Sequence, residues 1–121
     1  MGANFGLHEQ SRGQGLYVVC VRGEVDLLTI GDLKAAVRRA FEHEGADLVF
    51  DLTAATFVDS SGLVALVGGQ RAARAHGGRL VVVNVDPDIA RSLSITALDQ
   101  LLTVVDSVEE ALRLLEPARA G

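Results

Sequence analysis

The chain has 121 residues, a formal net charge of −5 and a hydrophobic content of 49%, enough for one compact core and too little for two ordinary domains. One lysine, Lys34, and an acidic balance leave no basic stripe to neutralise phosphates, so nucleic acid and anionic membranes are disfavoured and a protein partner is expected. Cys20 is the lone cysteine, which rules out an internal disulfide and fits a reducing compartment. Met1 to Gly6 holds no basic or long apolar signal, and no apolar run reaches the ~18 residues of a membrane span. The expectation is a soluble, cytoplasmic single domain over residues 1–121, with its ordered core at about 5–116.

In chain order, Phe5 to Ser11 and Leu16 to Arg22 flank Arg12-Gly13-Gln14-Gly15, a turn of hairpin length. The second of these strands has apolar residues on both faces, so it is expected to be central, with Cys20 in the core. A helical stripe follows at Ile30, Leu33, Val37, Ala40 and Phe41, with Thr29 as N-cap and Gly45 as stop. Asp47 to Leu52 reads as a strand, and Ser60 to His76 as a helix ended by Gly77-Gly78. Gly68-Gly69 interrupts that helix and is expected to permit close backbone packing. Arg79 to Val83 is a valine-rich central strand, Asp86-Pro87 opens a short helix through about Leu93, and Thr103 to Val105 supplies a last strand. Ser107-Val108-Glu109-Glu110 is a capping box for a final helix that Pro117 ends. Alternating strands and helices predict an α/β fold with a mixed, mostly parallel sheet, an N-terminal hairpin and about four helices.

The densest polar cluster, Asp59-Ser60-Ser61, sits where a strand and connecting loop feed the second long helix. On residue types alone it reads as a helix start, with Asp59 as cap, Ser60 and Ser61 in the first turn and Gly62 easing packing. A hydrolase nucleophile would need glycine two positions before the serine, where Val58 and Asp59 stand, and His76 falls ~24 Å away at the far end of the same helix. Nucleotide binding lacks a phosphate-loop pattern, and His8, His43, His76 and Cys20 are scattered without metal-ligand spacing, so no cofactor or metal is expected. Asp26, after Gly23-Glu24-Val25, reads as a turn residue. Parallel strands exit at one edge, however, so Asp26 and Ser60 are expected to share a groove.

Together, Gly23-Glu24-Val25-Asp26 and Phe57-Val58-Asp59-Ser60-Ser61-Gly62-Leu63, on this pattern of elements, resemble the two signatures of the STAS domain, and more narrowly of bacterial anti-sigma factor antagonists. The resemblance implies a non-enzymatic partner switch. In its dephosphorylated form such a protein binds an anti-sigma factor, often itself a serine kinase, and so releases a sigma factor. Phosphorylation of the first residue after the motif aspartate, here Ser60 with Ser61 as the alternative, switches binding off, and a serine phosphatase reverses it. Asp26, Asp59, Ser60, Ser61, Gly62 and Leu63 would form the partner surface. A homodimer is left open, as is a STAS module of a sensory or lipid-transport complex without sigma-factor control. Two positions depart from the family pattern: Val64 and Ala97 stand where glycine is common.

Overall fold

The computed structural model describes residues 5–42 and 46–120, so the expected stop at Gly45 lies outside the described residues. Five strands form one sheet in the order β1-β2-β3-β4-β5. They are β1 (Gly6–Ser11), β2 (Leu16–Val25), β3 (Asp47–Val58), β4 (Leu80–Val83) and β5 (Thr103–Val105). The first pair is antiparallel and the other three are parallel, as the hairpin and the alternation predict. Four helices accompany them: α1 (Ile30–Ala40), α2 (Ser60–Ala75), α3 (Pro87–Ile95) and α4 (Val108–Ala120).

Both faces of the sheet are covered, which is why β2, β3 and β4 carry near-continuous apolar runs. On one face Leu33, Val37, Leu66, Ile89 and Leu93 from the first three helices bury Val19, Val21, Phe50 and Val82. On the other, Ala111 and Leu115 of α4 close over Val18, Val49, Val81 and Val105. Each fully buried valine, leucine or phenylalanine contributes roughly 1.5–3 kcal/mol. Beneath the core, Asp47 is almost wholly buried and accepts from the Arg79 backbone amide at 2.8 Å and its guanidinium at 2.9 Å. The same guanidinium donates to the Leu115 carbonyl at 3.1 Å, joining β3, β4 and α4 at one corner.

Several local expectations need correction. Strand β3 does not stop at Leu52 but continues to Val58, because β2 runs on to Val25 and pairs with it across two register shifts. Backbone pairing with a neighbour overrides the weak strand pattern of Thr53 to Thr56. Cys20 is only half-buried: it packs against the margin of the core under α4, its thiol directed at Asp51 Oδ2 at 3.7 Å. Thr29 is the N-cap residue of α1 by position, as expected, but makes no side-chain cap bond. Helix α4 runs past Pro117, since a proline removes one intrahelical bond without ending every helix that contains it.

Two caps are as expected: Asp86 accepts from the amides of Asp88 and Ile89, and Ser107 from that of Glu110. Ala97 follows α3 in the left-handed conformation, φ 60° and ψ 14°. The turn that a glycine would make easily is therefore kept by alanine at a conformational cost.

Candidate functional site

The site begins with the register of two strands. Val25 pairs with Val58, so Asp26 and Asp59 are the next residues of neighbouring parallel strands at the carboxyl edge of the sheet. The Asp59 amide donates to the Val25 carbonyl at 3.0 Å, tying the two exits together. No connecting loop intervenes before the helix: β3 ends at Val58 and α2 starts at Ser60.

Asp59 is extended (φ −85°, ψ −177°), and its Oδ1 accepts from the Gly62 amide at 3.0 Å, the geometry of an N-cap. Gly62 is buried, and a β-carbon there would lie 2.7 Å from Val58 Cγ1 and 2.8 Å from Val25 Cγ1. Only glycine lets the first turn of α2 sit directly on the ends of β2 and β3. Leu63 points into the core, 4% exposed, and anchors that turn. Ser60 is exposed and Ser61 half-buried, and neither hydroxyl bonds to any described residue. An exposed, unpartnered hydroxyl at the first helical position is open to a second protein.

Asp26 organises the turn at the neighbouring strand exit, and the groove lined by Ser60 and Ser61 is bordered by Ile30, Lys34 and Arg38 of α1 instead of by Asp26. Its Oδ1 accepts from the Leu28 amide at 2.9 Å, and its own amide donates to the Thr29 hydroxyl at 2.9 Å. That hydroxyl is directed back at the Glu24 carbonyl at 3.1 Å and at Asp26 Oδ1 at 3.3 Å. The Thr29 hydroxyl thus braces the turn, which explains why this N-cap residue makes no side-chain bond to the first turn of α1. The turn pushes Leu27 and Leu28 into solvent, 72% and 68% exposed, and Val64 on α2 is 67% exposed. These three apolar side chains are not part of the sequence-derived site. Their signal is two adjacent leucines directly after Asp26, and a valine where the family often has glycine.

The chemistry available from this chain alone is limited. His76 lies at the far end of α2, its Nδ1 2.9 Å from the Ala72 carbonyl and its ring stacked on Phe41, while His8 lies on the edge strand β1. Among the described residues, then, neither histidine stands at the Ser60 end as a base. No group of three or more His, Cys, Asp or Glu among them is arranged to hold a metal ion, and no helix among the described residues is long and apolar enough to cross a membrane.

An exposed serine thus stands one residue after a capping aspartate, with a second aspartate at the exit of the adjacent strand. The STAS domain family model matches residues 10–111. The chain belongs to the STAS domain family. Among relatives, the anti-sigma F factor antagonist of Paenibacillus polymyxa is 28% identical over 109 residues, 89% of this chain and 93% of that one. The anti-sigma-B factor antagonist of Listeria monocytogenes is 30% identical over 86 residues, 71% of this chain and 75% of that one. The crystal structure of an anti-sigma factor antagonist from Mycobacterium paratuberculosis superposes with a TM-score of 0.84 at 26% identity, covering 96% of this chain and 99% of that one. The matched region of this STAS chain includes both exit aspartates, both serines and all five strands in whole or part.

Proposed function

We propose that this chain is an anti-sigma factor antagonist: unphosphorylated, it binds an anti-sigma factor and thereby frees a sigma factor, and phosphorylation of Ser60 ends that binding. The observation that carries the reading is the exposed, unpartnered Ser60 that follows Asp59, at a strand exit level with that of Asp26, with Leu27, Leu28 and Val64 exposed on the Asp26 turn and on α2. Greater exposure favours Ser60 over Ser61 as acceptor. Asp59, Gly62 and Leu63 hold the acceptor turn, Asp26 holds the facing one, and the exposed apolar side chains supply contact area to the partner. The chain is a substrate and a ligand here. A partner kinase supplies the base, Ser60 Oγ attacks the γ-phosphorus of ATP, and ADP leaves.

The switch follows from local electrostatics. A phosphate adds −1.5 to −2 charges at the N-terminus of a 16-residue helix, where free amides and the helix dipole tolerate an anion, so the fold survives. Burying that dianion in an interface, beside two carboxylates, costs on the order of several kcal/mol. A serine phosphatase resets the surface.

The test is affinity capture with unmodified protein, followed by phosphopeptide mapping of the captured complex with ATP. An anti-sigma factor is expected in the bound fraction and phosphate on Ser60. Ser60→Ala should take up no phosphate, and Ser60→Asp should lose the partner while keeping its circular dichroism spectrum. Phosphate on Ser60→Ala would move the acceptor to Ser61 or elsewhere, and capture that Ser60→Asp does not weaken would defeat the switch.

A further inference from the structure

Helices α1 and α2 each follow a strand of the parallel set and pack on the same face, so they run side by side in the same direction. Between them lies an open groove of about 600 Å3. Val37, Ala65 and Gly69 form its apolar part, Ser60 and Ser61 its serine end, and Lys34 and Arg38 line the α1 side. Those two cations are four residues apart and therefore stack on one face of α1. Side chains on a helix lean toward its N-terminus, and in both helices that is the Ser60 end. Both cations are exposed, and neither makes an ion pair or hydrogen bond to a described residue. A serine hydroxyl has no use for two unpaired cations. A phosphate does.

We propose that, once Ser60 is phosphorylated, Lys34 and Arg38 reach along the groove and pair with the phosphate, forming a latch between α1 and α2. The idea rests on Ser60 as acceptor and adds a regulatory element to it. Forming the pair draws two aliphatic stems over the apolar part of the groove, so phosphorylation alters the shape of the surface as well as its charge. It also sets the phosphate between opposing influences, with Lys34 and Arg38 favouring the dianion and Asp59 and Asp26 opposing it.

The experiment installs phosphoserine genetically at position 60 of the full chain, without a kinase, and follows its 31P shift against pH. With the latch, the midpoint lies below that of the same phosphoserine in a short peptide. It should rise by about half a unit or more in the Lys34→Gln/Arg38→Gln double variant, and in the parent at high salt. Identical midpoints in parent and double variant overturn the latch, as does a parent midpoint above the peptide's. Both positions are exposed, and an unchanged circular dichroism spectrum and melting temperature of the unphosphorylated variant verify its fold. Because the phosphoserine is installed genetically, without a kinase, a kinase that ignores Ser60 would sink the proposed function and leave this measurement intact. Equal midpoints would sink the latch and leave the switch.

Discussion

Replacing Gly62 by alanine tests whether the serine turn is held by direct contact with the strand ends. The added β-carbon would come within 2.7 Å of Val58 Cγ1, 2.8 Å of Val25 Cγ1 and 3.4 Å of the Val25 carbonyl oxygen. Both valines are buried and stiff at χ1, so neither can turn aside, and the first turn of α2 has to lift from the sheet. Overpacking of this kind costs typically about 1–3 kcal/mol, against a gain of up to ~1 kcal/mol from alanine's better helix propensity. The net loss is on the order of 1–2 kcal/mol, or about 4–8 °C in melting temperature for a chain of this length. Gly68→Ala is the internal control, because a β-carbon there meets nothing within 4 Å. It should gain roughly 0.5–1 kcal/mol. Urea unfolding of the two variants beside the parent measures both signs. If Gly62→Ala stabilises the protein as Gly68→Ala does, the close approach of α2 to β2 and β3 is refuted.

Removing the cap of α2 by Asp59→Ala should cost about 0.5–2 kcal/mol in the same assay, whereas Asp59→Asn, which keeps an acceptor for the Gly62 amide, should lose little. Ala97→Gly relieves the left-handed residue after α3 and should stabilise by roughly 0.5–1 kcal/mol, the αL cost being partly offset by glycine's larger entropy loss. A destabilised Ala97→Gly protein would show that this turn carries no strain. Burial, together with the Asp51 carboxylate, pushes the Cys20 thiol up, so at mildly alkaline pH less of it is thiolate than in an ordinary exposed cysteine. Its reaction with a disulfide reagent at pH 8 should be slower than that of glutathione, and Asp51→Asn should speed it. Equal rates in parent and variant would remove Asp51 as a cause.

Where local chemistry decides the outcome, the sequence was readable. Asp86-Pro87, Ser107-x-x-Glu110 and Asp59 announce helix starts because capping needs only a side-chain acceptor within three residues of the amide it serves. The glycine pair in α2 was read correctly only in part. Gly69 meets Leu80 Cδ1 at 2.9 Å where a β-carbon would stand, but Gly68 faces open space, and which of two adjacent glycines turns inward depends on the helix's orientation over the sheet. Thr29 takes the N-cap position of α1 as its type suggests, but the turn at Asp26 uses its hydroxyl, so the position is filled without a side-chain cap bond.

The order of the elements, the mixed sheet and the family were legible in the sequence, and the family resemblance pointed to Asp26, Asp59 and Ser60 as the residues to test. These rest on periodicity, caps and two short motifs, all of which act within a few residues. Only the tertiary structure decided that β2 and β3 extend to Val25 and Val58 and so bring the two aspartates level. It alone left Leu27, Leu28 and Val64 exposed and lined the groove at Ser60 with Lys34, Arg38 and Val64. Strand register and helix orientation are settled by backbone pairing and packing between segments about thirty residues apart, and no local pattern encodes them.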